Sequence, residues 1–308
     1  MKRVIIIAVV ILGVIFGALG CASPPPPAPD PPPSAPPPPP PAKEPPPPAK
    51  EPPPPVEEPP PPPVEDREGP VLSFESPIKY FSPDGDGEND VYIALLGAKD
   101  ESPIAGWSID IREPEPPYVL FGHFEAQGAP PERIEWDGKN PKGELIQSAS
   151  DYTFTFTVTD SKGNSSTLEG VIETDILVIR EGNRLKAQVP SIVFPPEKGT
   201  FEGLSPEVLA NNEWILRRVA MVLNKFKDYK VSVEGHANAV LRTAREENNE
   251  LKPLSEQRAK SVVEELVRYG VDRSRLSFAG MGGSYPVVLY ENRDGWWKNR
   301  RVEFILIK

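Results

Sequence analysis

Two short groups of residues carry most of the chemistry this sequence offers. Gly235, His236, Ala237 and Asn238 end an alternating apolar run, and Leu254, Ser255, Glu256, Gln257, Arg258 and Ala259 open a helical pattern. A strand running into the first group and a helix starting at the second would bring Asn238 and Arg258 together at the top of a strand–loop–helix unit. Such a pair suits a small zwitterion: an amide oxygen accepts from its ammonium, and a fork of donors takes its carboxylate. A second cluster comprises Asp84, Asp86, Glu88 and Asp90. Hard oxygens packed into one loop suit Ca²⁺, which takes about six to eight of them. The same residues in a Gly/Asp turn also cap backbone amides. The one cysteine, Cys21, excludes an internal disulfide and any cysteine-clustered metal site. With 2 histidines and no nucleophile–base cluster, the sequence does not read as an enzyme.

The elements that must position Asn238 and Arg258 lie in residues 185–308. The pattern predicts a short strand at 191–194 and a helix over 206–227, with Leu209, Leu216, Val219, Ala220 and Leu223 at helical spacing. A strand follows at 230–236. Ser255 reads as the N-cap of a second helix. Val262, Val263, Leu266 and Val267 are its buried stripe and Gly270 its stop. Strands at 276–279 and 301–307 complete a βαβαββ order, an α/β sandwich with helices on one face. In a first helical turn Arg258 opposes the helix dipole. Its expected partner is a ligand carboxylate or an internal acid, Glu234 or Glu256. His236 reads as a packed strand-end histidine. Trp296 and Trp297 read as a glycan-stacking pair or as core.

Ahead of this, residues 70–184 read as an all-β sandwich. Residues 152–159 alternate aromatic and aliphatic side chains with threonines, and Lys162, Gly163 and Asn164 supply a turn. Further strands are expected at 91–96, 107–111, 119–125 and 168–179.

The N-terminus has a third character. Met1, Lys2 and Arg3 precede an unbroken apolar run over 4–19, then Gly20 and Cys21. This is the shape of a secretory signal. The alternative is an uncleaved membrane anchor, for which the run is slightly short. Ala18, Leu19, Gly20 and Cys21 resemble a bacterial lipobox, which implies a signal peptide over 1–21 and lipidation of Cys21. Residues 22–69 hold most of the 43 prolines and read as a disordered polyproline II linker. At ~3.1 Å per residue that linker reaches roughly 150 Å. It reads as a boom, or as a docking strip for proline-reading domains. The net charge of -11 is concentrated in residues 22–184, whereas 185–308 carries a small basic excess. That excess fits an anionic polymer other than nucleic acid.

Two resemblances follow from these residues. Ile134, Trp136, Asp137 and Gly138, with Asp151, Tyr152 and Thr153, resemble the immunoglobulin-like module of flagellar hook-cap proteins. That implies Trp136 in the core and a turn at Asp137 and Gly138. Gly235 and His236, Leu254 through Ala259, Gly270 and Val271, Gly280 to Gly282 with Pro286, and Asn299 through Glu303 resemble the C-terminal domain of outer-membrane protein A and the peptidoglycan-associated lipoproteins. The resemblance implies a non-catalytic lipoprotein, anchored in the outer membrane and facing the periplasm. It would bind the diamino acid of the peptidoglycan stem peptide, with periplasmic or outer-membrane proteins as further partners. It assigns binding to Asn238, Arg258, Asn299 and Arg300. The family has aspartate where this chain has Asn238, and Leu251 and Pro195 are two further departures. They support the alternative of a retained fold that has lost wall binding and serves as a structural or protein-interaction module.

Overall fold

The alternation read at 152–159 builds the centre of the first domain in the computed structural model, which describes residues 65–308. The expected signal peptide, Cys21 and nearly all of the expected linker lie outside the described residues. Seven strands form the domain: β1 (Val71–Glu75), β2 (Tyr92–Lys99), β3 (Ile104–Arg112), β4 (Leu120–Gln127), β5 (Arg133–Trp136), β6 (Asp151–Asp160) and β7 (Ser165–Glu173). They make two antiparallel sheets, ordered β1-β2-β5 and β4-β3-β6-β7. Tyr152, Phe154, Phe156 and Val158 point inward from β6 and meet Tyr92, Ala94, Leu96 and Trp136 of the other sheet in one core. The turn after β6 is held by Asp160, whose carboxylate accepts from the amides of Lys162 and Asn164. The strand expected over 168–179 stops at Glu173, because Thr174 turns inward and bonds the backbone of Gln147 and Ser150.

The second domain is a five-stranded sheet, ordered β11-β10-β12-β9-β8, with two long helices. Its elements are β8 (Ile179–Glu181), β9 (Arg184–Val189), α1 (Pro206–Lys225), β10 (Lys230–His236), α2 (Ala244–Glu246), α3 (Lys252–Arg268), β11 (Leu276–Gly282) and β12 (Val302–Ile307). Helix α1 begins where Ser205 accepts from the amide of Val208 and Pro206 needs no donor. Its Ile215, Leu216, Val219 and Leu223 pack with Val262, Val263 and Leu266 of α3. Both helices lie against Val231, Val233, Phe304 and Leu306 of the sheet. The approach is closest at Gly235, where an added Cβ would lie 2.1 Å from the carbonyl oxygen of Ser255. A glycine there lets α3 rest directly on β10.

Two expectations are corrected. Residues 191–194 are not a strand: Asn212, buried on α1, accepts from the amide of Val193 and donates to its carbonyl, doing what a neighbouring strand would. The first long strand is instead β9. It pairs with β12 and, through a tight hairpin, with β8, so the second sheet begins at Ile179. The helix start at Ser255 is also displaced. The chain is already helical from Ala244, passes through a π-helical turn at Glu247–Leu251 and continues into α3. Ser255 is fully buried; its hydroxyl donates to Lys252 O and accepts from the amide of Gly282. Arg258 therefore sits in the body of a helix, not in its first turn.

The described residues belong to one compact unit, and its two domains are packed together. Ala149 and Ile176 of the sandwich side enter the core of the α/β domain. Arg218 of α1 pairs with Asp175 and covers the ring of Tyr80. Glu113, at the end of β3, pairs with Lys298 and accepts a second bond from Trp297 Nε1 at 3.4 Å. Both partners of the Glu113–Lys298 pair are buried. The joint at 174–178 carries no slack: Leu177 N reaches Ser148 Oγ at 3.1 Å and Val178 N reaches Asp84 Oδ2 at 2.8 Å. No helix among the described residues is long and apolar enough to cross a membrane.

Breaking one side of a buried ion pair strands the other charge. Lys298→Met should destabilise the full chain by about 3–5 kcal/mol in urea denaturation. The Glu113→Leu/Lys298→Met double variant should regain most of that loss, and a double variant as unstable as the single would show that the pair itself is not the cause.

Candidate functional site

The loop after β9, the end of β10, one face of α3 and the start of β12 enclose a cavity of ≈ 720 Å³ together with the edge of the sandwich. Arg258 lies on its wall. Its Nε donates to the carbonyl of Lys198 at 3.0 Å, and its guanidinium stacks 5.1 Å above the ring of Phe194. Phe194 in turn stacks on Phe201 at 4.7 Å. The group is thus held by one bond and one aromatic face, and its terminal nitrogens make no ion pair with the described residues. Neither Glu234 nor Glu256 serves as its partner. Burial, and then the charge of Arg300, hold Arg258 below the ordinary guanidinium range. Arg300 leaves the 3₁₀ turn Arg293–Asn299 and lines the same cavity, exposed. The facing wall carries Asp151 and Glu173 of the sandwich.

Asn238 is elsewhere. It lines a second cavity of ≈ 490 Å³ with Glu246, Glu247 and Tyr290. Its Oδ1 accepts from Asn299 Nδ2 at 2.9 Å. Asn299 is buried and fully used: its Oδ1 accepts from the amides of Val287 and Val288, and its Nδ2 also donates to Val288 O. Asn299 pins a loop and orients Asn238. Of the residues expected to share a site, the structure brings together Arg258 with Arg300, and Asn238 with Asn299. The separation follows from the loop after β10. Glu246 accepts from the amides of Val240, Leu241 and Arg242, and Glu247 accepts from Gly283 N and Ser284 Oγ. Glu246 closes the loop on itself, and Glu247 fastens it to the end of β11. Glu246 was legible as a capping-box partner, since Thr243 stands three residues before it and accepts from its amide.

His236 and Arg301 pack beneath the first cavity. Both ring nitrogens of His236 and one terminal nitrogen of Arg301 are buried without a hydrogen-bond partner among the described residues. Arg301 Nε donates to Glu303 at 2.7 Å, and His236 Nε2 stays 3.7 Å from that carboxylate. Burial first, then the positive charge of Arg301, lower the imidazole pKa to about 4. Glu234, His236 and Glu303 converge, but the guanidinium of Arg301 already occupies the cationic place beside them. Trp297 is buried against Glu113, while Trp296 is half-buried on Tyr290 at 5.2 Å.

In the acidic loop, Asp84, Asp86 and Asp90 bring carboxylate oxygens within 4.8 Å of one another, without Glu88. Asp90 accepts from the amides of Gly85 and Gly87, Asp86 from Glu88, and Asp84 from Asp86 and Val178. Burial, opposed by the Val178 amide and aided by the neighbouring acids, raises the Asp84 pKa.

Residues 200–300 match the model of the OmpA family. Among curated proteins, the chain is 32% identical over 133 residues to "Probable lipoprotein YiaD" of Escherichia coli, covering 43% of this chain and 56% of that protein. It is 36% identical over 101 residues to a "Peptidoglycan-associated lipoprotein" of Mesorhizobium japonicum, covering 33% and 57%. The chain thus spans a little over half the length of the curated relatives it matches. Solved structures similar to it include the periplasmic domain of Helicobacter pylori MotB, at 21% identity and a TM-score of 0.35 over 42% of this chain and 78% of that one. Another is the peptidoglycan-associated lipoprotein of Burkholderia pseudomallei, at 20% identity and a TM-score of 0.29 over 37% and 87%.

The state of His236 sets a pH dependence. Its ordinary value of 6.5 applies to the unfolded chain and about 4 to the folded one. Between those values the unfolded chain binds more protons, so stability falls as pH drops from 6.5 toward 4 and levels off below. The loss should be about 3 kcal/mol by denaturation at successive pH values. His236→Phe should flatten this part of the profile; an unchanged slope would place the titrating group elsewhere.

Proposed function

We propose that this chain, whose residues 200–300 form an OmpA family domain, is a non-catalytic envelope protein that binds peptidoglycan in the cavity lined by Arg258 and Arg300. The observation that carries this reading is the Arg258 guanidinium. It is fixed by Lys198 O and the Phe194 ring, and its donor fork stays open to a carboxylate. The likeness to relatives named peptidoglycan-associated lipoproteins supports it. The stem peptide, with its diamino acid, is the ligand of matching charge. Cys21 is the proposed lipid anchor in the outer membrane, with the folded part facing the periplasm and residues 22–69 as the spacer. Acyl chains would hold it through about 0.8 kcal/mol per buried methylene. The sandwich is proposed as an immunoglobulin-like module.

A second reading, a domain that keeps the fold and not the wall contact, is favoured by one observation. Asn238 is bonded to Asn299 and lines a different cavity from Arg258.

The full chain should sediment with purified peptidoglycan sacculi, and Arg258→Ala should reduce the bound fraction about tenfold or more, the loss of one charge-assisted contact. Wild-type protein that stays in the supernatant would remove the wall-binding reading in favour of the second. The Asp84, Asp86 and Asp90 loop is a proposed Ca²⁺ site. Adding Ca²⁺ to chelator-treated protein should raise its Tm, and an unchanged Tm leaves the loop a capped turn.

A further inference from the structure

We propose that the sandwich domain completes the ligand site: Asp151 and Glu173 receive the ammonium of a zwitterionic peptide whose carboxylate is held by Arg258 and Arg300 across the cavity. This inference rests on the wall-peptide reading and adds which domain supplies the anionic half.

The register of the sandwich places Asp151 of β6 directly opposite Glu173 of β7. Like charges facing each other across an antiparallel pair destabilise it, and neither carboxylate has an ion-pair partner among the described residues. Partial burial, then the charge of Glu173, push the Asp151 carboxyl above its ordinary value. The other wall has the opposite defect. Arg258 and Arg300 repel each other, and neither has a carboxylate.

Elsewhere in this interface opposite charges find each other, as Arg218 does with Asp175 and Lys298 with Glu113. Around the cavity Glu115, Asp151, Glu173, Arg258 and Arg300 share the lining without an ion pair among the described residues, while Arg301 is held by Glu303. At ≈ 720 Å³ the space has the size of a small-ligand site. Its charges exclude simple ligands. A metal cation would meet two guanidiniums, and a simple anion would meet two carboxylates. A molecule carrying an ammonium and a carboxylate on a short apolar stem relieves both walls. An amino acid side chain with a distal amine and carboxylate has this chemistry.

The test uses the full chain and calorimetric titration with the tripeptide L-Ala-γ-D-Glu-diaminopimelate, its distal amine either free or acetylated. Wild-type protein should bind the free form about tenfold tighter than the acetylated form. Asp151→Asn/Glu173→Gln should lose that preference and bind both forms at the weaker level. Its Tm should not fall, because the substitutions remove a repulsion. Arg258→Ala should weaken both forms equally. A double variant that still prefers the free amine overturns the role of Asp151 and Glu173 and leaves the wall-peptide reading intact. Wild-type protein that binds neither form overturns both.

Discussion

The buried pair of Glu113 and Lys298 ties together two domains that would otherwise each have a face to hide. Each charge has left water, and each is tolerable only while the other is present. Separating the domains would free both to solvent. It would also strip the cover from Trp297 and withdraw Ala149 and Ile176 from the core of the α/β domain. The cost of parting is therefore shared between hydrophobic area and the specificity of one ion pair. The relative placement of the two sheets follows from where these groups sit in the chain.

That placement decides what the cavity is. An OmpA family domain alone would present Arg258 and Arg300 to open solvent. With the sandwich docked, they share one cavity lining with Asp151 and Glu173. Confinement lowers the effective dielectric and strengthens whatever bridges the two walls. Asn238 lies outside this lining. Its oxygen belongs to the network of Asn299, and that network holds the loop after β11.

Much of the fold was legible. The alternation of 152–159 gave β6, and the helical spacing of Leu216, Val219, Ala220 and Leu223 gave α1. Periodicity reads side chains and is blind to what satisfies the backbone. Residues 191–194 look like a strand because they are apolar, yet Asn212 supplies their bonds. Arg184–Val189 alternates cleanly, but its polar members Lys186 and Gln188 disguise a strand whose second face is covered by another domain. Ser255 looks like a cap because it precedes a helical run, whereas a π-turn had already carried the helix past it. Of the residues lining the cavity, Arg258 and Arg300 were singled out by resemblance. Asp151 and Glu173 were not, because nothing local in β6 or β7 reveals what faces their ends.

The joint at 174–178 has a mechanical consequence. Thr174 is bonded to the sandwich backbone, Asp175 to Arg218, Leu177 to Ser148 and Val178 to Asp84. Every step of the crossing is fastened to one body or the other. Tension applied across the two domains would find no slack segment here to pay out. It would pass from one folded body to the other as through a single link.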